Sequence, residues 1–111
     1  MSRSAQVLVN EQLAGMLKET AEGEFIFQYE PTYLENALAL PVSLTLPKQT
    51  GLYRSPFLFP FFDGLIPEGW LLEIAYKNWK INPRDRMGLL LHLCQDTIGN
   101  VSIVEIQEHK Q

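Results

Sequence analysis

From Glu24 to Glu30 the side chains alternate, with Phe25, Phe27 and Tyr29 on one side and Glu24, Gln28 and Glu30 on the other. A period of two marks a strand with one face buried and one face wet. Just before it, Glu22-Gly23 reads as a turn, because glycine reaches positive φ without steric cost. Leu13 to Thr20 is β-prone, and so is Ala5 to Val9, with Asn10, Glu11 and Gln12 as the polar break between them. Two strands around a glycine turn predict an antiparallel hairpin. Such a sheet buries one face only, so the rest of the chain must supply a covering layer.

The period changes in the second half. Met87, Leu90, Leu91 and Cys94 recur at i, i+3, i+4 and i+7, the stripe of a core-facing helix. Asn82-Pro83 reads as its cap and first residue, with Asp85 adding favourable charge. Pro67 and Glu68 suit the first turn of another helix, running to Trp79 or Lys80. Between the halves, Pro31 ends the strand, and Thr32 to Leu40 holds a short helical turn. Val42, Leu44 and Leu46 alternate between Pro41 and Pro47 as a short extended segment suited to an edge, and Lys48 to Ser55 is a polar loop. Asp96 to Asn100 is a turn, Val101 to Ile106 a last strand, and the remainder a polar tail. The expected fold is α+β: a single domain over residues 1–111, with a small antiparallel sheet from the first third and the final segment packed against several helices.

Composition narrows the function. Hydrophobic residues are 46% and charged residues 20%, as in a globular chain. A net charge of −4 lacks the basic excess of a phosphate-gripping protein, so direct nucleic-acid binding is not expected. Cys94 is the lone cysteine, and His92, two residues away on a helix, faces elsewhere; no metal is expected. Ser43 and Ser55 lack a nucleophile motif, and the glycines form no phosphate loop. Asp63 and Glu68 are the best carboxylate pair, yet both stand where turns and helix starts use such residues structurally. The sequence therefore predicts no catalytic residue and no cofactor. It also has neither a signal-peptide core nor an apolar run near the ~20 residues that span a bilayer, and reads as cytoplasmic.

The unusual stretch is Phe57 to Trp70, with four phenylalanines and a tryptophan in a proline-broken span. Most of these rings are expected in the core, which aromatics dominate in small domains. An aromatic, loop-bounded cluster also has the make-up of a binding hot spot. On a helix from Glu68, at ~100° per residue, Leu71, Ile74, Ala75, Asn78 and Trp79 share one face, and Trp70 lies roughly 130° from its centre. Trp70 either packs back on the Phe57–Phe62 loop or faces a partner. The candidate partner-binding residues are Phe61, Phe62, Asp63, Leu65, Ile66, Glu68 and Trp70.

Four motifs, in order, resemble the N-terminal subdomain of the HipA family of serine/threonine kinase toxins. Phe25-x-Phe27-x-Tyr29-Glu30 resembles its F-x-Y-D/E strand, and Val42-Ser43-Leu44-Thr45-Leu46-Pro47 its LSLSLP segment. Phe61-Phe62-Asp63-Gly64-Leu65-Ile66-Pro67-Glu68-Gly69 resembles its FF-x-N-LLPEG motif, and Asp96 to Asn100 its D-x-x-G-A turn. Gly64 stands where the family has Asn, and Asn100 where it has Ala. The resemblance runs from about Leu13 to Ile103 and stops where the family's kinase core would begin, which implies no kinase activity. It further implies the arrangement of tripartite toxin–antitoxin systems. There a shortened HipT-like kinase toxin lacks this subdomain, a separate small protein supplies it and neutralises the kinase, and a HipB-like DNA-binding protein joins the complex. A non-inhibitory scaffold linking the kinase to the DNA-binding partner is the alternative.

Overall fold

The computed structural model describes residues 2–66, 77, 82, 84–93 and 100–106. Five strands form one antiparallel sheet: β1 (Arg3–Val9), β2 (Gln12–Glu19), β3 (Phe25–Tyr29), β4 (Tyr53–Ser55) and β5 (Val101–Glu105). Their spatial order is β4-β3-β2-β1-β5. Among the described residues three short helices with defined bounds accompany them: α1 (Pro31–Glu35), α2 (Pro60–Asp63) and α3 (Arg86–Leu93). The α+β class and the pairing of the first-third strands with the final one are as expected. The expected helix after Pro67 (apart from Lys77, which is helical), Cys94 of the expected stripe, the Asp96–Asn100 turn apart from Asn100, and the tail lie outside the described residues.

Pairing register sorts the sheet into two faces. Leu17 stands between Ala5 and Phe27, and Gly15 between Val7 and Tyr29. Val7 also faces Ile103. These positions, with Phe25 and Val9, form the buried face. Ser4, Gln6, Lys18, Gln28 and Arg54 fall on the other. Phe62, Met87, Leu89, Leu90 and Leu91 from the helices complete the core, together with Val42 and Leu46 from the loop. Gly15 is required here. A Cβ would stand 2.5 Å from the Gln28 carbonyl oxygen and 2.9 Å from the Phe27 ring, so only a missing side chain lets that ring lie across β2.

The β1–β2 connection is a two-residue turn with Asn10 at φ 51° and Glu11 at φ 68°. This is the left-handed turn whose twist matches a hairpin, and it favours Asn-Gly. Asn10 tolerates the conformation, while Glu11 has no such excuse. The β2–β3 turn uses Gly23 at φ 89°, as the sequence predicts, and the Glu24 N–H donates to Thr20 Oγ1 at 3.1 Å.

Three expectations need correction. Val42 to Leu46 is not an extended segment: only Ser43 and Leu46 bridge, and the Leu46 N–H returns to the Ser43 carbonyl at 3.0 Å. The turn buries Val42 and Leu46 but turns Leu44 outward, which alternation alone would have kept on their side. Lys48 to Ser55 is not all loop, because Tyr53–Ser55 pairs with Phe25–Phe27 as the edge strand β4. Asn82 does not cap α3. It closes a preceding turn by accepting the Arg84 N–H at 2.9 Å, and Asp85 is the cap, accepting the Gly88 N–H at 3.1 Å.

Residues 36–52 form a long irregular crossing held by hydroxyls rather than by a ladder. Tyr29, buried on β3, donates to the Leu46 carbonyl and accepts the Val42 N–H at 2.9 Å. Tyr33 donates to the Leu40 carbonyl and Tyr53 to the Pro47 carbonyl. Lys48 Nζ donates to the carbonyls of Asn36 and Ala39, both at 2.9 Å, closing the loop onto the end of α1.

Tyr29→Phe strips the partner from a buried N–H and a buried carbonyl while keeping the ring. It should cost about 1–3 kcal/mol of unfolding free energy, read by urea denaturation. Glu11→Gly relieves the left-handed strain and should raise stability by about 0.5–1 kcal/mol in the same assay.

Candidate partner-binding surface

The segment from Phe57 to Ile66 lies against β3. Pro60 opens α2 at a position whose missing N–H costs nothing, and the helix lasts one turn before Gly64. The Asp63 and Gly64 N–H groups bond back to Phe59 and Pro60, both at 2.9 Å. Two further turns, Leu65 to Phe62 at 3.0 Å and Ile66 to Asp63 at 3.2 Å, keep the chain coiled without extending the helix.

The candidate residues separate by exposure. Phe62 is 0% and Ile66 2% exposed, so both belong to the core and act from beneath rather than presenting surface. Phe62 meets Phe27 at 5.6 Å between ring centroids and Phe61 at 5.3 Å. Phe61, Asp63 and Leu65 are half-buried and reach the surface. Glu68 and Trp70 lie outside the described residues. Phe57, in the same aromatic run, is 76% exposed.

Electrostatics set the position of this segment. Arg3 stands at the rim of the sheet's buried face, opposite Glu19. Its Nε donates to Glu19 Oε1 at 2.8 Å, and its two terminal nitrogens bind Asp85 end-on, Nη1 to Oδ2 at 3.0 Å and Nη2 to Oδ1 at 2.7 Å. Asp85 thus caps α3 and fastens its start to β1. Gly88 leaves room for this, since a Cβ there would collide with the Asp85 carboxylate. The next residue, Arg86, donates from Nε to Asp63 Oδ1 at 2.6 Å, pinning the end of α2 to α3. Asp63 is therefore engaged structurally and partly open to solvent. The Arg3 guanidinium holds the Asp85 carboxyl below its ordinary range, helped by the Gly88 N–H and opposed by burial. No motif announced either ion pair: Arg3 and Asp85 are 82 residues apart.

Among the described residues no three His, Cys, Asp or Glu side chains gather into a metal site, and no helix is long and apolar enough to cross a membrane. What the surface offers is a half-buried aromatic and leucine rim on a rigidly held turn, with one carboxylate already paired.

An antiparallel sheet covered on one face by short helices and an aromatic, proline-broken turn defines a small α+β domain of one particular family. Residues 5–104 match the sequence model of the HipA N-terminal domain, and the chain belongs to that family. It is similar to a solved structure described as the N-terminal domain of HipA toxin, with a TM-score of 0.72 and 29% identity over 96% of this chain and 95% of that one. An uncharacterized protein of Haemophilus influenzae is 35% identical over 109 residues, covering 98% of this chain and 95% of the relative. A putative kinase of Sinorhizobium fredii is 26% identical over 93 residues, 84% of this chain but 22% of that protein. The match is thus to the family's N-terminal domain and not to a kinase domain.

Asp85→Asn keeps a competent helix cap but removes the charge from the pair. It should cost on the order of 1 kcal/mol at pH 7, discounted for the partial exposure of both side chains. A depressed folded pKa contributes stability above the unfolded value of about 3.9, and that contribution is lost as pH falls through the folded one. The difference between the unaltered chain and the variant should therefore shrink below about pH 4, read by urea unfolding at pH 7 and pH 3.

Proposed function

We propose that this chain is a HipS-like antitoxin, which binds and neutralises a HipT-like serine/threonine kinase toxin and has no enzymatic activity of its own. The surface from Phe61 to Trp70 docks at or near the kinase's active-site cleft, with Trp70 as apolar anchor and Phe61, Asp63, Leu65 and Glu68 around it. Phe62 and Ile66 support this surface from the core. A HipB-like DNA-binding protein completes the complex, so any DNA contact comes through that partner, in keeping with the net charge of −4.

One observation carries this reading. The same domain makes up nearly all of the Haemophilus relative and only 22% of the putative kinase from Sinorhizobium. A domain found both apart from a kinase and joined to one needs a surface that fits a kinase. Where it arrives as a separate protein, it can withhold or grant activity by binding.

The test is a phosphorylation assay with the HipT-like kinase of the same genome, titrated with this protein, beside size-exclusion chromatography of the mixture. Inhibition with co-elution is expected. Co-elution with full kinase activity would favour the scaffold role instead. Trp70→Ala should weaken inhibition at least about thirtyfold, since losing an anchoring tryptophan typically costs ~2 kcal/mol or more. An unchanged inhibition constant, with an unchanged unfolding midpoint, would remove Trp70 from the interface.

A further inference from the structure

The loop held by the tyrosine hydroxyls displays leucines to solvent. Leu38 is 90%, Leu40 63% and Leu44 94% exposed. Singly exposed leucines are ordinary, but these three fall within seven residues of a loop whose backbone is tied down at many points. Tyr33 holds the Leu40 carbonyl, and Tyr29 holds Val42 and Leu46 on either side of Leu44. Asn36 Oδ1 accepts the Leu38 N–H at 3.0 Å. At the tip the Ser43 and Thr45 hydroxyls bond each other at 2.9 Å, and Ser43 Oγ accepts the Thr45 N–H at 3.2 Å. A loop fixed in this way loses little conformational entropy when something covers it.

The loop adjoins the surface around α2. Phe27 and Tyr29 are i and i+2 on β3, so they share the buried face of the sheet, with ring centroids 4.9 Å apart. Phe27 carries Phe62 of α2, and the Tyr29 hydroxyl carries the loop. Tyr33 stacks on Tyr29 at 6.1 Å, extending the row of rings toward Leu40. The two segments therefore lie side by side over one face of one strand.

Interface size supplies the occupant. A stable complex between separate proteins takes about 800 Å² and 20–30 residues from each side. Among the described residues the α2 surface runs from Phe61 to Ile66, and Phe62 and Ile66 are buried. By themselves those described residues are fewer than a kinase that is not covalently attached requires. A fused domain escapes this demand, because its tether keeps it at millimolar effective concentration.

We infer that the loop bearing Leu38, Leu40 and Leu44 is a second docking element for the kinase, continuous with the α2 surface. The inference rests on the antitoxin reading above, and it assigns the kinase an apolar receptor site beside its cleft. The leucines supply affinity there, while the Phe61–Trp70 surface acts on the cleft.

The experiment compares the full chain, the double variant Leu38→Ser/Leu44→Ser and Trp70→Ala by isothermal titration against the HipT-like kinase, with sedimentation equilibrium of each chain alone. Both serine substitutions fall on open surface, so the unfolding midpoint should not move. The double variant should bind roughly thirtyfold more weakly or worse. Unchanged affinity in the double variant, while Trp70→Ala still weakens binding, overturns the loop assignment and leaves the antitoxin reading standing. Failure of the unaltered chain to bind overturns both. A self-association of the unaltered chain that the double variant abolishes, with kinase affinity untouched, gives the leucines to a second copy and also overturns the assignment.

Discussion

A phenolic hydroxyl buried beneath an irregular loop is the constraint on which the rest of this structure turns. Tyr29 sits at 2% exposure on the core face of the central sheet, where an unpaired O–H would be costly. It finds its partners in the main chain of residues 42 and 46, and in doing so satisfies an N–H and a carbonyl that no ladder serves. Burial pushes its ionisation upward, so the hydroxyl stays a donor. A long crossing with little regular structure, a recurrent weak point in small domains, is thereby made part of the core.

The same strand organises the opposite half of the covering layer. Phe27, one step along the face from Tyr29, receives Phe62, and Gly15 on the neighbouring strand gives up its side chain to make the space. Rings then run without a break from Tyr33 through Tyr29, Phe27 and Phe62 to Phe61. The surface proposed to meet a kinase is the outer end of this row, so its stiffness is inherited from the core. Arg3, Asp85, Arg86 and Asp63 form a parallel electrostatic path from β1 through the cap of α3 to the end of α2. Each pair is partly exposed and modest in free energy, yet together they fix the angle at which a one-turn helix leaves the sheet.

A domain organised in this way suits recognition. Binding surfaces gain affinity when their segments need not be ordered on contact, and here the 36–48 loop and the described turn from Phe59 to Ile66 are held by internal hydrogen bonds. The same family domain occurs in a putative kinase and in a small protein of nearly this length.

Local rules made much of this legible. Alternation at Phe25, Phe27 and Tyr29, the glycine turn before them and the helical stripe at Met87, Leu90 and Leu91 are each encoded within a few residues, and periodicity reports them directly. The family motifs marked the segment around α2. Tertiary context decided the rest. Val42 to Leu46 has the pattern of a strand, but its backbone partners are tyrosine hydroxyls and not a neighbouring strand, so it turns and exposes Leu44. Tyr53–Ser55 looks like loop until β3 offers it an edge. Asp85 displaces Asn82 as helix cap because Arg3, distant in sequence, holds its carboxylate in place. Phe62 and Phe57 belong to one aromatic run, and nothing local separates them; the position of Phe27 across the sheet sends one to the core and leaves the other outside. Residue pattern determined which segments could bury a face, whereas long-range contacts, whose partners no local window contains, decided which side chains that burial left for a partner.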